Sequence, residues 1–177
     1  CRLKANQLFH YFASHPWAML LDSANCDHID SRFDIIVAQP KVKIVTRGNH
    51  TEVTTVLNGI DNSVVSTDDP LKIVQQQIAA NLKVQSNPTQ LPFIGGAIGY
   101  FAYDLGGSFE ALSRIATDDI GTPDMAVGIY DWAIIKDNHD DSLWFVSQDQ
   151  SLDTAVPGFT EFCQSTSTIP ITTKEQP

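Results

Sequence analysis

The residue types that could hold a small ligand gather around one polar connection. Leu20-Leu21-Asp22-Ser23 leaves an apolar run, and Asp30-Ser31-Arg32-Phe33-Asp34 opens the next. An arginine suits a carboxylate, a serine hydroxyl supplies hydrogen bonds and a phenylalanine ring offers a flat apolar surface. The set therefore fits an amino acid. The plainer alternative is that Ser31 and Arg32 satisfy loop carbonyls and pair with Asp34, and spacing alone favours it.

Other segments offer less. Gly95-Gly96-Ala97-Ile98-Gly99 runs on through Tyr100-Phe101-Ala102-Tyr103 to Gly106. A dinucleotide site needs G-x-G-x-x-G between a strand and a helix. Here the order is Gly-Gly-x-x-Gly, and aromatic residues stand where the helix should begin. Glycine that lets two backbones approach is the better reading. The acidic pairs Asp68-Asp69, Asp118-Asp119 and Asp140-Asp141 fall at turns or helix starts, where Asp is favoured for capping, and none has a partner at metal-ligand spacing. His10, His15, His28, His50 and His139 are scattered singly. Cys26 lies among Asp22, Asp27 and Asp30, surroundings that oppose a reactive thiolate. No catalytic residue and no metal site is expected in this chain.

The elements that must position the polar connection can be read from periodicity. Residues 5–14 form a short amphipathic helix with Ala5, Leu8, Phe9 and Phe12 on one side, stopped by His15-Pro16. Trp17–Leu21 and Phe33–Ala38 are apolar strands on either side of the connection. Lys41–Arg47 and Thr51–Leu57 make a hairpin around Gly48-Asn49, with a second turn at Asn58-Gly59. Asp69 and Pro70 open a helix in which Leu71, Val74, Ile78 and Leu82 recur at helical spacing. Phe93–Tyr103 reads as a strand. Met125–Ile135 and Ser142–Ser147 read as a strand pair around Asp137-Asn138, and Leu152–Gln164 as a short helix weakened by Pro157-Gly158. Strands outnumber helices and short turns join most of them. The pattern predicts an α+β fold, a largely antiparallel β-sheet with peripheral helices. Trp17, Ile35, Val37, Ile98, Phe101, Val127, Ile129, Trp132 and Ile134 are expected in one core. Residues 165–177, rich in Ser and Thr and without periodicity, read as a linker.

Composition sets outer bounds. At 177 residues the chain can bury a core, and its 11 basic against 21 acidic residues give a net charge of −10. Such a surface does not suit nucleic acid, which needs clustered Lys and Arg. No apolar run reaches the roughly 20 residues of a membrane helix. Three separated cysteines and an opening without a signal-peptide core point to the cytoplasm. The chain begins at Cys1, so its start is read as processed or trimmed.

Taken together, the segments resemble a known family. Pro16–Ser23, Asp27-His28 and Ser31–Ile35 are similar to the opening of the large subunit (component I) of aminodeoxychorismate synthase, the para-aminobenzoate synthase. So are Ser66–Leu71, Leu91–Phe93 with Gly95-Gly96-Ala97 and Gly99, and Tyr103–Gly106. Pro123–Ala133 is the most specific, with eleven successive positions of the expected type. The resemblance runs from about Pro16 to Phe145 and implies the N-terminal part of the anthranilate/aminodeoxychorismate synthase component I fold. Residues 1–164 would be that domain, and 165–177 would lead to a C-terminal chorismate-binding domain absent from this sequence. It also implies amination of chorismate to 4-amino-4-deoxychorismate for para-aminobenzoate and folate synthesis. A glutamine amidotransferase subunit would release the ammonia, and Mg²⁺ would act in the C-terminal domain, with no cofactor on this chain. It further implies a tryptophan pocket at Ser23, Asp30, Ser31, Arg32 and Phe33, with Asp30 standing where the family usually has an aromatic residue. Anthranilate synthase component I is the rival enzyme reading, and a stand-alone amino-acid-binding module is the rival of another class.

Overall fold

The computed structural model describes residues 3–24, 28, 31–57, 60–83, 86–87, 90–110 and 120–166. In chain order the elements are α1 (Ala5–Phe12), β1 (Met19–Leu21), β2 (Phe33–Val37), β3 (Val42–Arg47), β4 (His50–Leu57), β5 (Ile60–Ser66), α2 (Pro70–Asn81), β6 (Gly96–Phe101), a 3-10 segment Tyr103–Ser108, β7 (Met125–Tyr130), β8 (Trp132–Asp137), β9 (Ser142–Ser147), α3 (Leu152–Ala155) and α4 (Phe159–Thr166). They form two antiparallel sheets and two compact units, the first Cys1–Gln39, Leu82–Gly96 and Tyr130–Pro177, the second Pro40–Asn81 and Ala97–Ile129. The fold is α+β, as the patterning predicts. The single antiparallel core is not: the chain builds two sheets.

The first unit carries a four-stranded sheet in the order β1-β2-β8-β9. Its core joins Leu8 and Phe12 of α1 to Ile36, Trp132, Ile134, Leu143 and Phe145 of the sheet and to Leu152, Val156, Phe159 and Cys163. Those apolar side chains explain why α1 and α4 fold here. Each is too short to hold a helix alone, and the buried stripe supplies the stability. Phe12, Trp132 and Phe159 meet ring to ring, with centroids 5.2 Å and 6.0 Å from Phe12. The helix read over 152–164 is two, divided at Pro157-Gly158, where Gly158 takes φ +82°. No helix among the described residues is long and apolar enough to cross a membrane.

The second unit carries a five-stranded sheet in the order β5-β4-β3-β7-β6. Val42 and Ile44 share one face of β3, opposite Ile129 and Val127 of β7, and all four are buried. Gly99 shows why β6 is glycine-rich: a Cβ there would lie 2.0 Å from the carbonyl oxygen of Ala126, so only glycine lets β6 approach β7. Gly48, φ +57°, turns the β3–β4 hairpin. Asp69 caps α2 by accepting from the N–H of Leu71 at 2.9 Å.

Several expectations need correction. Residues 125–135 are two strands, because the chain leaves one sheet at Tyr130 and enters the other at Trp132, with buried Asp131 between them. β5 follows the Asn58-Gly59 turn, itself outside the described residues, and was not legible because its sequence alternates weakly and stays exposed. In α2 the buried stripe is Pro70, Ile73 and Val74, and Leu71 faces outward. Phe101 is 54% exposed, while Trp17 and Ile35 are only half-buried.

Candidate functional site

The polar connection leaves β1 at Leu21 and returns at Phe33, and the pairing of Leu21 with Ile35 brings its two ends together. Ser23 then faces Asp34. The Ser23 N–H donates to Asp34 Oδ1 at 2.8 Å, and its hydroxyl sits 2.7 Å from the same oxygen and 3.0 Å from the Ser31 carbonyl. Asp34 is only 3% exposed, so its carboxylate must find donors inside the protein. The second oxygen accepts from Asn138 Nδ2 at 2.8 Å.

Arg32 turns to a different partner. Its Nε donates to both oxygens of Asp137 at 3.1 Å, and a terminal nitrogen reaches Oδ2 at 2.7 Å. This is the two-pronged fit that guanidinium and carboxylate planes allow. The guanidinium also lies 4.7 Å from the centre of the Phe33 ring and 3.5 Å from Asp140. Asp137 is 2% exposed, whereas the Arg32 side chain is 48% exposed. Burial pushes the Asp137 carboxyl up. The Arg32 bond, the N–H groups of His139 and Asp140 and the arginine charge more than offset this, and hold it below the usual carboxylate range. The hydrogen bond to Asp137 raises the Arg32 guanidinium in turn.

A cavity of about 300 Å³ opens beside this network, lined by Lys4, Ala5, Asn6, Asp22, Ala24, Asp34 and Asn138. Of the residues read as a pocket, Ser23 and Ser31 are brought together, and so are Arg32 and Phe33. Asp30 lies outside the described residues. The expected Arg32–Asp34 pairing does not form, because Asp137, 105 residues away, takes the guanidinium instead. Asp137 and Asn138 are the residues that sequence reasoning missed as site components. They were legible only as a turn, since pairing across such a separation leaves no local signal. Asn6 was read only as part of the helix over 5–14, and Lys4, just before it, was not singled out.

A second cavity of about 530 Å³ lies in the other unit, with Thr46, His50, Thr51, Asp68, Asp69 and Phe109 among its walls. Its polar groups are used locally: Thr46 and Thr51 hydroxyls pair at 2.9 Å, Asp68 accepts from Ser66, and Asp69 caps α2. Among the described residues no three His, Cys, Asp or Glu side chains come together as a metal would require.

Two antiparallel sheets with peripheral helices and a polar loop clamped between strand ends define the class to which this chain belongs. The chain is a member of the chorismate-binding enzyme family, matched over residues 18–177. It is 51% identical over 135 residues to aminodeoxychorismate synthase component 1 of Klebsiella aerogenes, covering 76% of this chain and 29% of that protein. It is 48% identical to the Escherichia coli K12 protein of the same name, covering 77% and 30%. The anthranilate synthase component 1 of Lactococcus lactis is 31% identical, over 72% of this chain and 26% of that protein. The crystal structure of anthranilate synthase component I from Streptococcus pneumoniae superposes with a TM-score of 0.55 at 26% identity, covering 82% of this chain and 31% of that one. The chain thus spans about 30% of the length of its aminodeoxychorismate synthase relatives.

Proposed function

We propose that this chain is the N-terminal region of an aminodeoxychorismate synthase large subunit and serves the amination of chorismate without holding the reacting groups. The identity of about half to relatives of that name carries the reading. The lower identity of 31% to an anthranilate synthase supports that enzyme less. Residues 1–164 are the supporting domain and 165–177 lead out of it. Chorismate and Mg²⁺ belong to the portion of the relatives that this chain does not span. The ammonia comes from a glutamine amidotransferase subunit, and the enzyme works in the cytoplasm. By the resemblance, Ser23, Asp30, Ser31, Arg32 and Phe33 belong to an amino-acid pocket whose ligand is tryptophan. The Ser23–Asp34–Asn138 network and the neighbouring cavity support a site at this loop.

The test is the product. The polypeptide that carries this chain, given chorismate, Mg²⁺ and ammonia, is expected to form 4-amino-4-deoxychorismate. Formation of anthranilate would assign it to the other branch.

A further inference from the structure

Two groups on one turn hold both ends of the polar loop. The β8–β9 turn contributes Asp137, whose carboxylate takes the Arg32 guanidinium through three contacts of 3.1, 3.1 and 2.7 Å. The next residue, Asn138, donates its backbone N–H to the Arg32 carbonyl at 2.8 Å and its side-chain amide to Asp34 at 2.8 Å. The same amide lies 3.4 Å from the Ser23 hydroxyl. Asp137 is in turn fixed by the N–H groups of His139 and Asp140, at 3.0 and 3.4 Å. The direction of Arg32 is therefore set from behind, by a buried anion. Asp137 fills the Nε edge of the guanidinium, so a ligand carboxylate could meet Arg32 only through the terminal N–H groups that remain. The 300 Å³ cavity has Asn138 and Asp34 in its wall and none of Ser23, Ser31, Arg32 and Phe33.

We propose that Asp137 and Asn138 are positioning residues for the amino-acid pocket. Asp137 clamps the Phe33 end of the loop through Arg32, Asn138 clamps the Ser23 end through Asp34, and Arg32 serves the loop rather than the ligand's carboxylate. The proposal rests on the pocket reading above and changes the role that reading gives Arg32.

The test is a double-variant cycle on the intact polypeptide, with tryptophan as the probe in calorimetry and amide exchange as the second readout. Arg32→Ala and Asp137→Asn are each expected to weaken tryptophan binding about tenfold, the scale of one charged hydrogen bond. Together they should weaken it no more than either alone, within about twofold, because they break one clamp. Unchanged or tighter binding in Asp137→Asn, with a loss in Arg32→Ala, would overturn the proposal, since a freed guanidinium would then be meeting the ligand. If Asp137→Asn does not fold, Arg32→Lys decides. It keeps a charge that can still meet Asp137 but loses the fork: binding restored while the loop amides still exchange fast places the charge on the ligand and overturns the clamp, and binding restored together with protection supports it. Absence of tryptophan binding in the unaltered protein sinks the pocket reading alone. The clamp is then judged on exchange: Asn138→Ala should speed exchange at the Ser23 amide while leaving β3 and β4 unchanged. No change at Ser23 overturns the clamp, and acceleration throughout the chain shows a general loss of stability that equally overturns it.

Discussion

At the scale of single residues, the site is built from charges that find partners far away in sequence. Asp137 titrates below an unfolded carboxylate, so its ion pair contributes in full above about pH 4, near the ordinary value of 3.8, and is lost as pH falls through the folded value. Asp137→Asn should therefore lower the urea midpoint at pH 7 and flatten its acid-side decline. An unaltered pH dependence between pH 5 and about pH 2 would show that the pair adds nothing to folding. Cys163 makes the opposite case. Its thiol is fully buried, and burial pushes it up to about 11. Peptide mapping after treatment with a thiol reagent at pH 8 should find Cys163 unmodified in the folded protein and modified in urea. Ser31, Arg32 and Phe33 are neighbours along the chain, and the structure brings Ser23, eight residues earlier, to the Ser31 carbonyl. Which anion would hold the arginine was hidden, since Asp34 is two residues away and Asp137 is 105. Local spacing favoured the wrong partner.

At the scale of elements, hydrophobic period and turn residues carry most of the fold. α1, β2, β3, β4 and β9 lie where alternation, turn residues and helical spacing put them, and all but β4, whose one buried residue is Thr51, present apolar side chains to a core. The failures have physical causes. The apolar run from Met125 to Ile135 has the same period in both sheets, and nothing in it marks the change at Asp131. β5 is held by its ladder to β4 rather than by burial, so its sequence carries little pattern. Two substitutions test the packing argument. Gly99→Ala puts a methyl 2.0 Å from a backbone oxygen and should destabilise by about 2–3 kcal/mol, the range for overpacked sites. Trp132, 2% exposed between Phe12 and Phe145, should cost about 3–5 kcal/mol when cut to Ala. Denaturant unfolding measures both, and a loss under about 1 kcal/mol would make either strand peripheral.

At the scale of the molecule, two compact units share one chain, and among the described residues no three His, Cys, Asp or Glu side chains gather as a metal would require. The chain is a member of the chorismate-binding enzyme family and spans about 30% of the length of its aminodeoxychorismate synthase relatives; the proposal above places the reacting groups of chorismate amination outside it. The direct measurement follows 4-amino-4-deoxychorismate formation by the purified chain with chorismate, Mg²⁺ and ammonia, before and after adding the portion of a component 1 relative that it does not span. No product is expected from the chain alone, and product is expected once that portion is present. Turnover by the chain alone would contradict the proposal.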